Sequence, residues 1–118
     1  MHHGSCHCGA VSFDLRESPT KLVDCNCSIC HRLGALWAHV PISSVQISSQ
    51  PNSTNTYVQG DKTLAIHTCK TCGCSTHWES LLDDGEHMAV NFRMCDITEL
   101  ERFDIKKFDG AHTWQFLE

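Results

Sequence analysis

The sequence predicts a mainly β fold of short, chiefly antiparallel strands. Two observations carry this: six or seven short stretches read as strands, several by apolar and polar alternation, and almost nothing has helical period. With 118 residues, the chain suffices for one compact domain, taken as residues 1–118. Hydrophobic residues at 41% against 19% charged residues describe a folded protein rather than a disordered one.

The first strand is expected over Ala10–Leu15, where Val11, Phe13 and Leu15 alternate with Ser12 and Asp14. Gly34–Val40 reads as a second. Val45 and Ile47 continue an alternation into a Ser, Asn and Thr-rich loop from Ser48 to Thr56. A hairpin follows, with arms Thr56–Gln59 and Thr63–Thr68 around Gly60-Asp61-Lys62, and its second arm delivers the chain into Cys69. Ser75–Ser80 and His87–Met94 form two more strands across the turn Asp83-Asp84-Gly85. The one helical piece is Asp96–Arg102, which Asp96 caps, and Phe103–Phe108 alternates again.

No stretch approaches the roughly 18 apolar residues of a membrane span, and MHHGSCHC lacks the basic start and apolar run of a secretion signal. A cytoplasmic location and no membrane partner are the expectation. Net charge is −5 with no basic cluster longer than Lys106-Lys107, which argues against nucleic acid as a partner. His2 and His3 are expected to be solvent-exposed.

Eight cysteines lie in three clusters, Cys6-His-Cys8-Gly, Cys25-Asn-Cys27-Ser-Ile-Cys30 and Cys69-Lys-Thr-Cys72-Gly-Cys74, and Cys95 stands apart. An odd count argues against a disulfide framework, and in a reducing compartment such spacing signals metal. Two thiolates at i and i+2 of extended backbone share a face, while C-x-x-C curls into a knuckle whose following glycine permits a tight turn. Tetrahedral zinc needs four ligands, so two clusters must converge. One partition is a zinc ribbon joining Cys27 and Cys30 to Cys69 and Cys72, which strands Cys6, Cys8 and Cys25. The other joins Cys6 and Cys8 to Cys69 and Cys72 as a closed site and leaves Cys25, Cys27 and Cys30 as a three-ligand set with an open position, as catalytic zinc requires. The second gives seven cysteines a role and is favoured. Cys95 is expected to be a buried thiol.

The segments GSCHCGAVSF, DCNCSICHRLGALWAHV, HTCKTCGCSTHW, AVNFRMCD and FDIKKFDG, in that order, resemble the glutathione-dependent formaldehyde-activating enzyme family, also called the centromere protein V-like domain, over essentially the full length. The resemblance implies a β-tent and two zinc ions, a structural one on Cys6, Cys8, Cys69 and Cys72 and a catalytic one on Cys25, Cys27 and Cys30. It also implies carbon–sulfur lyase chemistry, the addition of a small thiol such as glutathione to formaldehyde. Three thiolates blunt the Lewis acidity of zinc, so activation of a thiol ranks above generation of hydroxide. Many members of that family carry serine where this chain has Cys74, which as an extra thiol could face the second zinc as a fourth ligand.

His31, beside Cys30, and His77, beside Trp78, are the candidate proton carriers. Trp37, Trp78 and Trp114 belong in the core or at the rim of a cleft, and Arg93 and Lys62 are candidate partners for the carboxylates of glutathione. Two rival readings are a non-catalytic, zinc-stabilised scaffold or partner-binding domain and a redox protein working through Cys74 or Cys95.

Overall fold

The structure is a computed structural model that describes residues 2–58, 63–82 and 87–117. Ten strands run among them: β1 (His2–Ser5), β2 (Val11–Leu15), β3 (Leu22–Cys25), β4 (Trp37–Pro41), β5 (Val45–Ser49), β6 (Thr54–Val58), β7 (Leu64–Cys69), β8 (Ser75–Ser80), β9 (His87–Asn91) and β10 (Ile105–Phe108). Two short helices, α1 (Ser28–Leu33) and α2 (Ile97–Leu100), complete the regular structure with two 3-10 turns. No helix among the described residues is long and apolar enough to cross a membrane.

The strands form two sheets, one of three in the order β1-β2-β5 and one of seven in the order β10-β3-β4-β9-β8-β7-β6. Pairing is antiparallel except at the edge, where β10 lies parallel to β3. The mainly β expectation therefore stands. The loop expected over Ser48–Thr56 is shorter, because β5 stays paired with β2 as far as Ser49 and β6 begins at Thr54. The strand expected over His87–Met94 ends at Asn91, whose side chain accepts from the Arg93 N–H and caps a 3-10 turn over Phe92–Met94. The expected turns Gly60-Asp61-Lys62 and Asp83-Asp84-Gly85 lie outside the described residues, as does Lys62 itself.

Three elements have no counterpart in the sequence reading: β1, β3 and α1. The first of these corrects the expectation for His2. Its ring is buried, meets Phe92 and Phe103 edge-on, each at 5.5 Å between centroids, and pairs with Ser18 at 2.7 Å. Pairing of His2 with Leu15 turns it inward while His3 stays exposed beside Asp14.

The main core lies between the sheets. Phe13 and Leu15 from β2 pack with Ala38 and Val40 of β4, Met88 and Val90 of β9, and Phe92. Because side chains alternate across a strand, the intervening residues of the seven-stranded sheet face the other way. Register brings Ile66, Trp78, Ala89 and His39 abreast across β7, β8, β9 and β4 on that second face. One position along, His67, His77, Val90 and Ala38 form the row on the core side. His67 and His77 stack there at 4.3 Å.

Gly4 of β1 sits directly over Phe13, and any Cβ would overlap the Phe13 ring. The contact lies within the small sheet, where Gly4 and Phe13 are register partners on neighbouring strands. Gly4→Ala is expected to destabilise the fold by about 1–3 kcal/mol through overpacking, read as a lower urea midpoint at unchanged slope; a midpoint equal to wild type would show that the ring moves aside freely.

Candidate metal centres and adjoining cavity

The first centre is built from two matching turns. After β1 the chain turns at Cys6–Gly9, with the Gly9 N–H donating to the Cys6 carbonyl at 3.1 Å and Gly9 in the left-handed region at φ 84°. After β7 the Gly73 N–H donates to the Cys69 carbonyl at 2.9 Å with φ 79°. These positive φ values explain the glycine that ends each cluster.

The turns meet so that the sulfurs of Cys6, Cys8, Cys69 and Cys72 all lie within 4.8 Å of one another. The Sγ separations are 3.7 Å for Cys6–Cys8 and 3.6 Å for Cys8–Cys69. A zinc–sulfur tetrahedron with bonds of about 2.3 Å has edges of about 3.8 Å, so this set fits a closed zinc site. Backbone donors face the sulfurs: the Val11 N–H reaches Cys6 at 3.3 Å, and the amides of Cys74 and Cys8 hold the Cys72 thiol down at about 5. The zinc-ribbon partition is not the arrangement of the chain.

The second group is Cys25, Cys27 and Cys30, whose sulfurs also lie within 4.8 Å of one another. Cys25 ends β3. Cys27 caps α1, its sulfur accepting the Cys30 N–H at 3.4 Å, so the C-x-x-C knuckle is the first turn of the helix. Gly34 ends the helix at φ 66°, its N–H on the Cys30 carbonyl. Deep in the core, Trp37 donates its indole N–H to Cys30 Sγ at 3.3 Å. Burial pushes the Cys25 and Cys30 thiols up. The Cys27 thiol is lowered instead, its burial outweighed by hydrogen bonds from the Cys30 N–H and the neighbouring thiols, and a bound cation would offset the burial of the thiolates. Among the described residues no fourth His, Cys, Asp or Glu joins this group.

The three cysteines open into a cavity of about 800 Å³ on the second face of the large sheet, walled chiefly by apolar side chains including Trp37, Ile66 and Trp78, with Lys21 and His39 among its lining residues. The segment after β10 closes one side of it. Asp109 accepts from Asn26 Nδ2 at 3.0 Å and from the Thr113 N–H and hydroxyl at 3.2 and 3.0 Å, and the Ala111 N–H returns to Asn26 Oδ1 at 3.0 Å. The Asn26 amide, followed by the Thr113 donors, holds the Asp109 carboxyl down at about 2. Since Asn26 lies between Cys25 and Cys27, this clasp fastens the terminal segment to the cysteines themselves. Gly110 is pressed so close that a Cβ would fall 2.8 Å from Cys25 Sγ.

The sequence-derived candidates divide accordingly. Cys74 packs beside Cys6, Cys69 and Cys72 rather than the second trio, because the Gly73 turn keeps it with the first centre. His77 lies on the core-side row, opposite Trp78, and His31 is exposed beside a smaller recess rather than in the large cavity. Arg93 spends its Nε–H on the Gly34 carbonyl at 2.8 Å and does not line the cavity. Trp114 is an exposed rim residue meeting Phe108 edge-on at 5.1 Å. Cys95 is buried and burial pushes its thiol up to about 12, an unreactive state that disfavours the redox reading.

Sequence reasoning passed over His39, Lys21 and the Asn26–Asp109 clasp. A signal for His39 existed: in the strand Trp37-Ala38-His39 it shares a face with Trp37. The residue is exposed at the cavity mouth, its ring meets Trp78 edge-on at 5.6 Å, and local desolvation, reinforced by the charges of Lys21 and His87, lowers its pKa.

Among known proteins, the family model described as glutathione-dependent formaldehyde-activating enzyme matches residues 1–108. A crystal structure of a Rhodobacter sphaeroides protein superposes with a TM-score of 0.71 at 28% identity, covering 87% of this chain and 98% of that one.

Unequal roles for the two centres predict unequal mutants. Cys72→Ser is expected to unfold the domain, whereas Cys27→Ser loses one metal equivalent and keeps the circular dichroism of wild type; equal effects from both would contradict the division. Burial, then the charge of His67, drives the pKa of His77 from 6.5 down to about 4. Its neutral form therefore contributes stability that is complete above pH 6.5 and lost as pH falls through about 4. Between pH 7 and pH 5, His77→Gln is expected to remove about 2 kcal/mol of the acid-induced loss of stability, measured by urea unfolding at both values. Parallel losses in the two proteins would refute it.

Proposed function

The chain belongs to the glutathione-dependent formaldehyde-activating enzyme family, and on that premise we propose that it is a zinc-dependent carbon–sulfur lyase joining a small thiol such as glutathione to formaldehyde or a related aldehyde, with two zinc ions per chain. The observation that carries this reading is the contrast between a closed four-sulfur group and an open three-sulfur group beside a cavity. Cys25, Cys27 and Cys30 would hold the zinc, which when bound would supply the charge that lowers the pKa of an incoming thiol.

The protein's own groups do the remainder. The Trp37 N–H fixes Cys30, and the Asn26–Asp109 clasp fixes Cys25 and Cys27 from either side. The apolar walls exclude water, which suppresses competing hydration of the aldehyde. In the addition, the thiol sulfur bonds to the carbonyl carbon, the C=O π pair moves onto oxygen, and the proton given up by the thiol ends on that oxygen. His39 is the proton carrier in this scheme, neutral at pH 7 and in the same cavity, and it replaces His31 and His77 in that role.

The zinc-loaded protein is expected to accelerate S-hydroxymethylglutathione formation over the spontaneous rate, measured by NMR exchange. Cys27→Ser should abolish the acceleration, and His39→Gln should lower kcat by about 10²-fold or more with a flattened pH profile. A fully zinc-loaded protein with no acceleration for any thiol would sink the reading.

A further inference from the structure

The cavity beside the three cysteines is far larger than formaldehyde requires. Formaldehyde has two heavy atoms, comparable to a water molecule whose share of the liquid is about 30 Å³, whereas the cavity holds about 800 Å³. That is the range of sites that enclose whole organic ligands.

Its chemistry is equally lopsided. Five aromatic rings face it, those of Trp37, Trp78, Phe108, Trp114 and Phe116. Three of them are in edge contact, Phe108 with Trp114 at 5.1 Å and with Phe116 at 5.0 Å, while the His39 ring meets Trp78 at 5.6 Å. Among the described lining residues there is no carboxylate, and the one fixed cation is Lys21, whose ammonium already lies 4.0 Å over the Phe116 ring. A zwitterionic tripeptide with two carboxylates and an ammonium finds few partners on such walls. An aromatic group finds edges and faces to pack against.

We propose that this cavity selects an aldehyde carrying an aromatic or branched apolar substituent, which packs among the five rings while its carbonyl carbon reaches the thiol at the three-cysteine centre. The inference rests on the thiol-addition reading above and narrows its second substrate. The reaction is unchanged in its balance: the C–S bond forms, the C=O π pair goes to oxygen, and the thiol's proton follows it. Leu64 lines the cavity from the same face of β7 as Ile66. The Lys21 ammonium and the His39 ring give it its polar character.

The test compares phenylacetaldehyde with formaldehyde, each with glutathione and the zinc-loaded protein, by NMR exchange. Binding of unreactive 2-phenylethanol is measured separately by tryptophan fluorescence. The expected result is a kcat/KM at least tenfold higher for phenylacetaldehyde, saturable binding of 2-phenylethanol, and loss of both preferences in Leu64→Trp, which fills the cavity. Zinc content and thermal midpoint establish that this variant is folded. Trp78→Leu, which removes a wall without adding bulk, should weaken 2-phenylethanol binding about tenfold and serves if Leu64→Trp does not fold. Acceleration with formaldehyde equal to or above that with phenylacetaldehyde, and no binding of 2-phenylethanol, would overturn the substrate class and leave thiol addition standing. Saturable binding that both variants weaken, without acceleration for either aldehyde, would support the apolar selectivity of the cavity while overturning thiol addition.

Discussion

The four-sulfur closure is the constraint on which the remaining structure depends. Cys6 and Cys8 belong to the small sheet, between β1 and β2, whereas Cys69 and Cys72 belong to the large sheet, at the end of β7. Joining them ties residues 61 positions apart, as between Cys8 and Cys69. A metal held by all four sulfurs would remove that much freedom from the unfolded chain and would contribute about 4 kcal/mol by chain-closure entropy, a large share of a small domain's net stability. The closure also fixes how the two sheets meet, and so where Phe13 and Leu15 find Ala38, Val40 and Val90.

With one face of the seven-stranded sheet covered in this way, its second face is left for chemistry. The same alternation that buries Ala38 and Val90 presents Trp37, His39 and Trp78 to the cavity. The small residue Ala89 sits between His39 and Trp78 in register, and the two rings meet across it at 5.6 Å. At the sheet edge, the parallel strand β10 sets Phe108 beside Cys25 and leads into the Asp109–Thr113 clasp. A parallel partner at this edge has a consequence for the site, since the chain leaves β10 at the cysteine end of β3 and can fold back over the three thiols.

Legibility in the sequence followed the nature of the signal. β2 was readable because Val11, Phe13 and Leu15 alternate with polar residues, and β4, β7 and β8 because short runs of strand-forming residues end at turn signals. β1 was hidden in the polar run His2-His-Gly-Ser5, which is a strand because Gly4 admits the Phe13 ring and His2 reaches into an aromatic pocket. β3 is only four residues long, and α1 has no buried face of its own; the Cys27 cap and the Gly34 stop define it. His31 and His77 drew attention through proximity in sequence to Cys30 and Trp78. Proximity along a strand is the wrong measure, since neighbours point to opposite faces, and His39 two positions from Trp37 was the residue that shared the cavity.

The sequence by itself determined the mainly β class, the three cysteine clusters and, by counting ligands, the grouping of Cys6 and Cys8 with Cys69 and Cys72. These are local quantities: period, spacing and coordination number are all written along the chain. Only the tertiary structure decided that Cys74 stays with the first centre, that Asn26 and Asp109 bind the terminal segment onto the cysteines, and that five rings and one lysine surround an 800 Å³ space. Those outcomes depend on register between strands distant in sequence and on the path the chain takes after β10. Neither is encoded in any short window of residues, because each is set by the packing of the two sheets as a whole.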